Sequence, residues 1–337
     1  MIGDGDISVK KIQYSIYKQE TGSAGGKAKN DCYDILSSCG YIPSYIAGDT
    51  RILRIIKQFF SIISFDKENI LLVQYPTISD HLMSLLLKKL KTIDNSIAIV
   101  HDIPAFQGMG GNVEKQIDEL NHFQYLIVHN DCMKKKMIEC GCKSKMISLK
   151  VFDYLHDVNR TVQVNGYNGT IVVAGNLDKS TYLKDINLID RYNFNLYGIK
   201  KIIDVDSINN ATYMGLLPSD EIPYLLRGNY GLVWDGDSID TCSGIHGEYL
   251  KINNPHKMSL YLAAGIPVIA WKKAAIADFI IENKIGVVVE SLKELNYIDL
   301  SQRYDEMKNN VLNIKRKLAV GEYLKDAIST VESKIGI

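Results

Sequence analysis

Short, uninterrupted apolar runs alternate with helical patterns along almost the whole chain. Strands are predicted at 12–17, 70–74, 97–100 and 125–128, and again at 170–174, 194–197, 211–214, 230–234, 266–269 and 285–289. Helices are predicted at 28–39, 78–91, 112–122, 130–140, 255–264 and 275–283, and across the tail at 299–335. Continuous apolar strands separated by helices are typical of parallel sheets covered on both faces. The pattern therefore predicts an α/β fold built from two doubly wound, Rossmann-like domains.

The periodicity breaks near 151–168, where polar residues and glycines interrupt it. A boundary there gives an N-terminal domain at 1–158, a second domain at 159–316 and a terminal helix at 317–337. The length of 337 residues suits two such domains. Ligands of doubly wound domains bind at the carboxyl ends of the strands, so the expected site is a cleft between the two sheets.

The segment 52–65 has a helical pattern with its apolar residues on one face. The stripe comprises Ile52, Ile55, Ile56, Phe59, Phe60 and Ile63, flanked by Arg51, Arg54 and Lys57. A basic amphipathic helix can lie on a membrane, which would give the protein a peripheral membrane contact. The favoured interpretation is a helix that packs on the core of the first domain, since such stripes usually face a core.

Composition narrows the classes of function. Lys+Arg and Asp+Glu both number 39, so the net charge is zero and nucleic acid is not expected as a partner. The chain shows no transmembrane segment and no signal peptide, and its six cysteines suit reduced thiols, so a cytoplasmic location is expected. Twenty tyrosines against eight phenylalanines suit a cleft for polar ligands such as sugars, with compositional drift as the alternative.

A glycine-rich loop separates the first predicted strand from the first helix. It contains Gly22, Ser23, Gly25, Gly26 and Lys27. Glycines let a backbone approach a ligand closely, and a helix start attracts anions. The spacing fits neither the dinucleotide fingerprint nor the Walker loop. A flexible turn is the alternative.

His101 and Asp102 directly follow a predicted strand, and so would face the cleft. Asp102 could act as a catalytic base that accepts a proton from a sugar hydroxyl. The alternative is an aspartate that stabilises a turn before Pro104.

The segment 251–257 brings Lys251, His256 and Lys257 to the start of a predicted helix. The partial positive charge and free N–H groups of that helix start would add to them, giving a candidate diphosphate site. A solvated basic turn is the alternative. Two weaker candidates follow strands of the same domain. Lys179 could reach a phosphate or sugar, and Tyr213 with Gly215 could accommodate a flat base.

Several classes of site are not expected. Cys140 and Cys142 lack the spacing and partners of a zinc site. Asp235 and Asp237 form an Asp-x-Asp pattern, but in a loop of the second domain not placed as a metal site. No nucleophile elbow of a hydrolase occurs. Neither a metal nor a cofactor is therefore expected.

The segment 249–269 resembles the donor-site helix of GT-B glycosyltransferases. More narrowly, it is similar to bacterial β-1,6-galactofuranosyltransferases and to the glucosyltransferase that adds the second sugar to serine-rich-repeat adhesins. The segments 175–177, 231–236 and 101–103 and the glycine-rich loop support the resemblance. It implies two Rossmann-like domains facing across a cleft, with a UDP-sugar held mainly by the second domain. It also implies a terminal helix that crosses back to the first domain, and a homo-oligomer.

Carried over by motif, the resemblance places Lys251, Asn254, His256 and Lys257 at the diphosphate and sugar. Lys179 and Tyr213 would flank the uridine, and the loop from Gly22 to Lys27 would face the acceptor. Leu260 stands where many retaining members carry a glutamate, so the retaining signature is not claimed.

The expected activity is metal-independent transfer of a hexose from a UDP-sugar. Glucose is the first choice of donor sugar, and galactofuranose is the second. The acceptor would be a glycan, such as GlcNAc on a glycoprotein or a surface-polysaccharide intermediate. The alternative of another class is a nucleotide-sugar-binding pseudoenzyme or chaperone subunit of a glycosylation complex. An epimerase or dehydrogenase would need a dinucleotide fingerprint, which is absent.

Overall fold

The computed structural model describes residues 9–15, 24–45, 50–76, 80–160 and 166–337. It contains two six-stranded parallel sheets. The first sheet has the order β2-β1-β3-β4-β5-β6, with β1 (Lys11–Ser15), β2 (Ile42–Tyr45), β3 (Ile70–Tyr75), β4 (Asn95–Val100), β5 (Tyr125–Val128) and β6 (Lys145–Ser148). The second has the order β12-β11-β10-β7-β8-β9, with β7 (Thr170–Asn176), β8 (Asn193–Ile199), β9 (Ala211–Gly215), β10 (Tyr230–Val233), β11 (Val268–Trp271) and β12 (Gly286–Val289).

Helices connect successive strands in both domains. In the first domain they are α1 (Ala24–Ser38), α2 (Arg51–Ile63), α3 (Asp80–Leu90), α4 (Val113–Leu120) and α5 (Asp131–Glu139). In the second they are α6 (Ile222–Leu225), α7 (Gly244–Leu250), α8 (His256–Ala263) and α9 (Ala277–Asn283), with short 3₁₀ helices at Leu177–Lys179 and Thr181–Leu188. A 3₁₀ helix (Leu292–Asn296) and the helices α10 (Tyr304–Ala319) and α11 (Glu322–Ile335) follow the last strand. All residues of β3, β5, β10 and β11 are buried, as strands covered on both faces require. The predicted α/β architecture of two doubly wound domains is confirmed.

The sequence pattern did not predict β2 and β6, and both lie at the edges of the first sheet. Each is only four residues long. Pro43 interrupts β2, and prolines are tolerated in sheets mainly at edges. Ile42 is largely exposed. Short, half-exposed edge strands lack the continuous apolar run that identifies the inner strands.

The favoured interpretation of the 52–65 stripe is wrong. The helix forms, as α2, but its apolar stripe faces outward. Only Gln58 and Ile62 of its described side chains are buried, whereas Ile52 is 71% exposed and Phe60 is 60% exposed. Ile62 joins the core of the first domain. Within the described residues, none of the helices has the length and apolarity needed to span a bilayer.

The last helix, α11, packs on the first domain. Leu324, Ile328 and Val331 join the core that lies under α1 and the first sheet. Glu332 pairs with Lys11 of β1 at 2.8 Å. The connecting segment between the domains meets the start of α11, because the Asp153 carboxylate accepts hydrogen bonds from the backbone N–H groups of residues 323 and 324.

Burial of Asp153 leads to a pH-dependent stability. Burial raises the pKa of Asp153 to about 7, against an unfolded value near 4. The folded chain therefore holds this proton more tightly, and the stabilisation is lost as the pH rises through 7. Relative to Asp153→Asn, the wild type should lose about 1.4 kcal/mol of unfolding free energy between pH 6 and pH 8. Urea unfolding of both proteins at the two pH values measures this difference.

The comparison with Asp153→Asn removes the contribution of buried histidines. His101, His129 and His256 have lowered pKa values, chiefly from burial, so they make stability fall as the pH drops below their unfolded value. That contribution is common to both proteins and cancels in the difference. Identical pH slopes for the two proteins would show that Asp153 is already ionised at pH 6.

Candidate active site

The carboxyl ends of strands in both domains meet at the cleft. His101 and Asp102 follow β4, and His129 follows β5. The loop before α8 reaches this edge from the second domain. The Asn254 N–H donates to His129 Nδ1 over 2.9 Å, and the Asn130 side-chain amide donates to Asn254 Oδ1 over 2.7 Å. These hydrogen bonds join the two domains at the floor of the cleft.

His129 is neutral in this arrangement. Its Nδ1 accepts the Asn254 N–H, so the proton is assigned to Nε2, which lies 2.8 Å from the His101 carbonyl oxygen. Burial lowers the pKa of His129 to about 4. His129 therefore positions the loop before α8 and is unsuited to proton transfer near neutral pH.

A cavity of about 350 Å³ lies at this junction. Its lining includes Gly25 and Gly26 from the start of α1, Asp102, and Asn253 and His256 from the second domain. Asn253 and His256 each also hold one polar atom, Oδ1 and Nε2 respectively, that has almost no accessible surface and no hydrogen-bond partner among the described residues. Such an atom costs about 1–3 kcal/mol.

Asp102 lines the cavity from the first domain, as the sequence predicted. Its Oδ1 accepts the Tyr249 hydroxyl over 2.9 Å and also the side-chain amide of Gln107. Burial raises the pKa of Asp102, while the Tyr249 hydrogen bond and the charge of Lys29 act in the opposite direction. The result is a firmly oriented carboxylate whose affinity for a proton is increased, which suits a general base.

Lys257 lies over the carboxyl end of β7. Its Nζ is 2.7 Å from Asp235 Oδ1, and both side chains are partly buried. A Cβ at Gly175 would lie 3.1 Å from Lys257 Cε, so the close approach depends on this glycine, whose φ is +136°. Lys179 follows β7 in a 3₁₀ helix and is exposed. Two cationic side chains, Lys257 and Lys179, therefore lie near the carboxyl end of β7.

The three cationic groups expected at 251–257 are not brought together. Lys251 Nζ contacts both carboxylate oxygens of Glu248 at 2.7 Å and lies 5.7 Å from the Trp271 ring, and neither Lys251 nor Lys257 lines the cavity. His256 does line the cavity, but burial, aided by Lys27 and His129, lowers its pKa to about 4. At neutral pH His256 is thus a polar residue without charge. Of the three groups, Lys257 is therefore the charged one at the start of α8, and it is paired with Asp235.

Asn254 lines the cavity, and its side chain is also tied to the first domain. Its side-chain amide donates to the carbonyl oxygens of His129 and Lys150, the latter over 3.0 Å, and its Oδ1 accepts from Asn130. The side chain is buried, and these contacts use it to join the two domains. Asn253, its neighbour, is the residue with a buried and unpartnered oxygen.

Tyr213 and Gly215 lie at the carboxyl end of β9. The Tyr213 hydroxyl donates to the Gly198 carbonyl over 2.9 Å, and Lys200 Nζ lies 4.5 Å from its ring. A Cβ on Gly215 would meet nothing within 4 Å, and its φ is +94°. The open space beside Gly215 agrees with room for a flat base, while one face of Tyr213 is already covered by Lys200.

The glycine-rich loop is only partly described. Gly22 and Ser23 lie outside the described residues, and Gly25 and Gly26 line the cavity. Lys27, expected to face an acceptor, is instead buried. Its Nζ donates to Asp31 over 2.7 Å and to the Leu155 carbonyl over 2.8 Å. It therefore fastens α1 to the segment between the domains.

Three residues of the site were missed by the sequence reasoning. His129 follows β5 as His101 follows β4, so the same argument from strand ends could have found it. Tyr249 and Phe152 gave no local signal. Tyr249 matters through its bond to Asp102, and the Phe152 ring lies 4.8 Å from the His129 ring. Both contacts depend on how distant segments meet.

Models of one protein family match both domains. The model described as "Glucosyltransferase 3-like, N-terminal domain" matches residues 11–151, and the corresponding "C-terminal domain" model matches residues 171–331. The β-1,6-galactofuranosyltransferase WbbI of Escherichia coli K12 is 33% identical over 322 residues, covering 91% of this chain and 94% of WbbI. Glucosyltransferase 3 of Streptococcus gordonii is 26% identical over 235 residues, 68% of each chain.

Solved structures agree in fold. Anabaena Alr3699/HepE in complex with UDP matches with a TM-score of 0.59 at 13% identity, over 96% of this chain and 100% of that chain. WaaG, a glycosyltransferase involved in lipopolysaccharide biosynthesis, matches with a TM-score of 0.53 at 9% identity, over 97% and 100%. These likenesses and the two parallel sheets confirm the predicted GT-B fold.

Proposed function

Because the chain belongs to the glucosyltransferase 3-like family of glycosyltransferases, we propose that it transfers a hexose from a UDP-sugar to a glycan acceptor. The observation that carries this proposal is the cavity between the domains, where Asp102 of one domain lies opposite Asn253 and His256 of the other. The cavity holds about 350 Å³, within the range of sites for small molecules, and polar residues of both domains line it.

The transfer would use groups from both domains. The acceptor hydroxyl oxygen attacks the anomeric carbon, the bond from that carbon to the diphosphate oxygen breaks, and its electron pair leaves with UDP. The hydroxyl proton passes to Asp102, whose raised pKa favours accepting it. Lys257 and the first turn of α8, which none of the described side chains caps, would stabilise the negative charge that develops on UDP. Direct displacement of this kind inverts the anomeric centre.

Glucose and galactofuranose remain the two donor sugars to compare. The galactofuranosyltransferase WbbI is similar over nearly the whole chain, and glucosyltransferase 3 is similar over about two thirds of it. This difference supports UDP-galactofuranose and shifts weight away from UDP-glucose, which the sequence alone favoured. The acceptor we propose is a GlcNAc-bearing glycan on a glycoprotein or a surface-polysaccharide intermediate.

A UDP-release assay over a panel of nucleotide sugars tests the function. We expect release with UDP-galactofuranose or UDP-glucose that requires a GlcNAc-bearing acceptor. We also expect release to persist in EDTA, because Lys257 and the start of α8 would balance the diphosphate charge. Calorimetric binding of UDP without any turnover would favour a pseudoenzyme subunit. Release only from ADP- or GDP-sugars would contradict the proposal.

A further inference from the structure

The outward face of α2 is unusually apolar for a surface helix. Ile52 is 71% exposed and Phe60 is 60% exposed. Five further residues of this helix are between 39% and 45% exposed: Leu53, Ile55, Ile56, Phe59 and Ile63. Single exposed apolar residues are ordinary, but a contiguous set on one helix marks an interaction surface.

The helix is fixed to the domain, so this exposure belongs to a formed element. Ile62 is fully buried in the core, and the hydroxyls of Ser61 and Ser44 lie 2.5 Å apart. Thr50 caps the first turn by accepting the Leu53 N–H. Lys89 of α3 donates to the Ile63 carbonyl over 3.3 Å. The buried side of α2 is thus fixed to the first domain, and its apolar side faces away from that domain.

Basic residues accompany this face. Arg51, Arg54 and Lys57 lie on α2, Lys88 and Lys89 lie in the last turn of the adjacent α3, and Lys91 follows it. No acidic residue occurs at 50–65 or at 81–93, and Asp66, Asp80 and Asp94 flank these segments. An apolar helix face with several cations and no anions on its element is typical of a helix that lies in the interface of an anionic membrane.

We propose that α2 and the end of α3 form a membrane-docking surface whose occupant is an anionic lipid bilayer. The charges argue against a second copy of the chain, because a two-fold contact through this face would bring the basic groups of both copies together. Anionic headgroups would instead neutralise them while acyl chains cover Ile52, Ile56 and Phe60. At 13 residues, or about 20 Å, α2 is too short to cross a bilayer and would lie along its surface.

Vesicle flotation of the full chain tests this surface. The wild type should float with vesicles of phosphatidylcholine and phosphatidylglycerol, and less with phosphatidylcholine alone or at high salt. The triple variant Ile52→Ser, Ile56→Ser, Phe60→Ser should bind the anionic vesicles at least about tenfold more weakly. Serines at exposed sites should leave the thermal unfolding midpoint near that of the wild type.

A matched control places three serines at exposed apolar sites of the second domain. Ile202, Ile281 and Leu188 are 89%, 55% and 54% exposed, and their replacement should leave flotation unchanged. Equal binding by the α2 variant and the wild type, or equal losses in both variants, would overturn the proposal. So would a wild-type dimer that the α2 variant dissociates without any vesicle binding. The readout needs no turnover, so it stands apart from the proposed reaction.

Discussion

Replacing Asp102 by asparagine should lower kcat by about 10²–10⁴-fold, the range expected when a general base is removed. Asparagine keeps the size of the side chain and an oxygen that can accept the Tyr249 hydroxyl, so the domain contact should survive. UDP affinity should change little, because Asp102 lies on the acceptor side of the proposed reaction. Steady-state UDP release gives kcat, and calorimetry gives the Kd of UDP.

The pH profile separates a base from a structural carboxylate. Since burial raises the pKa of Asp102, wild-type kcat should decline as the pH falls through that pKa and the carboxylate becomes protonated. The asparagine variant should lack this limb. Asp118→Asn is the matched control, because Asp118 is exposed on α4 of the same domain. A full-rate Asp102→Asn enzyme would remove Asp102 from the mechanism.

Replacing Lys257 by alanine should raise the Kd of UDP at least about tenfold, since hydrogen bonds to charged groups contribute about 1.5–3 kcal/mol. The loss would also leave the Asp235 carboxylate, now 2.7 Å from Lys257 Nζ, without its partner beside the diphosphate. Calorimetric titration with UDP measures the change directly.

Lys251→Ala is the control for this prediction. Lys251 and Lys257 are equally good phosphate ligands by sequence, yet Lys257 lies over the carboxyl end of β7, whereas Lys251 pairs with Glu248 at the exposed end of α7. Its replacement should change the Kd of UDP by less than about twofold, as expected for an exposed ion pair. Equal effects of the two substitutions would show that the donor lies elsewhere than the start of α8.

The inner strands and the cleft were predictable because they depend on local patterns. Buried strands such as β3 are continuous apolar runs, and Asp102 lies at a strand end that topology directs to the cleft. The edge strand β2 is partly exposed, so its sequence lacks the continuous apolar run that identifies a buried strand. The apolar stripe of α2 did not show which side of the helix is buried. Periodicity shows that a helix has an apolar and a polar face, but it does not show which face packs on the core.

Charge partners were the least predictable part of the site. Lys27 and Lys251 were expected at ligands, and each is instead paired with a carboxylate one helical turn away, Asp31 and Glu248. Asn254 lines the cavity as expected, but its side-chain amide donates to two backbone carbonyls of the first domain. These competing partners belong to the folded geometry, and the residue types at 251–257 do not reveal them.

A crystal structure of the full chain with UDP tests the position of the donor site most directly. The diphosphate should lie within hydrogen-bond distance of Lys257 Nζ at the start of α8. The cavity beside Asp102, Asn253 and His256 should then remain open for the sugar. UDP bound in the first domain, or away from the carboxyl ends of the second sheet, would contradict this position.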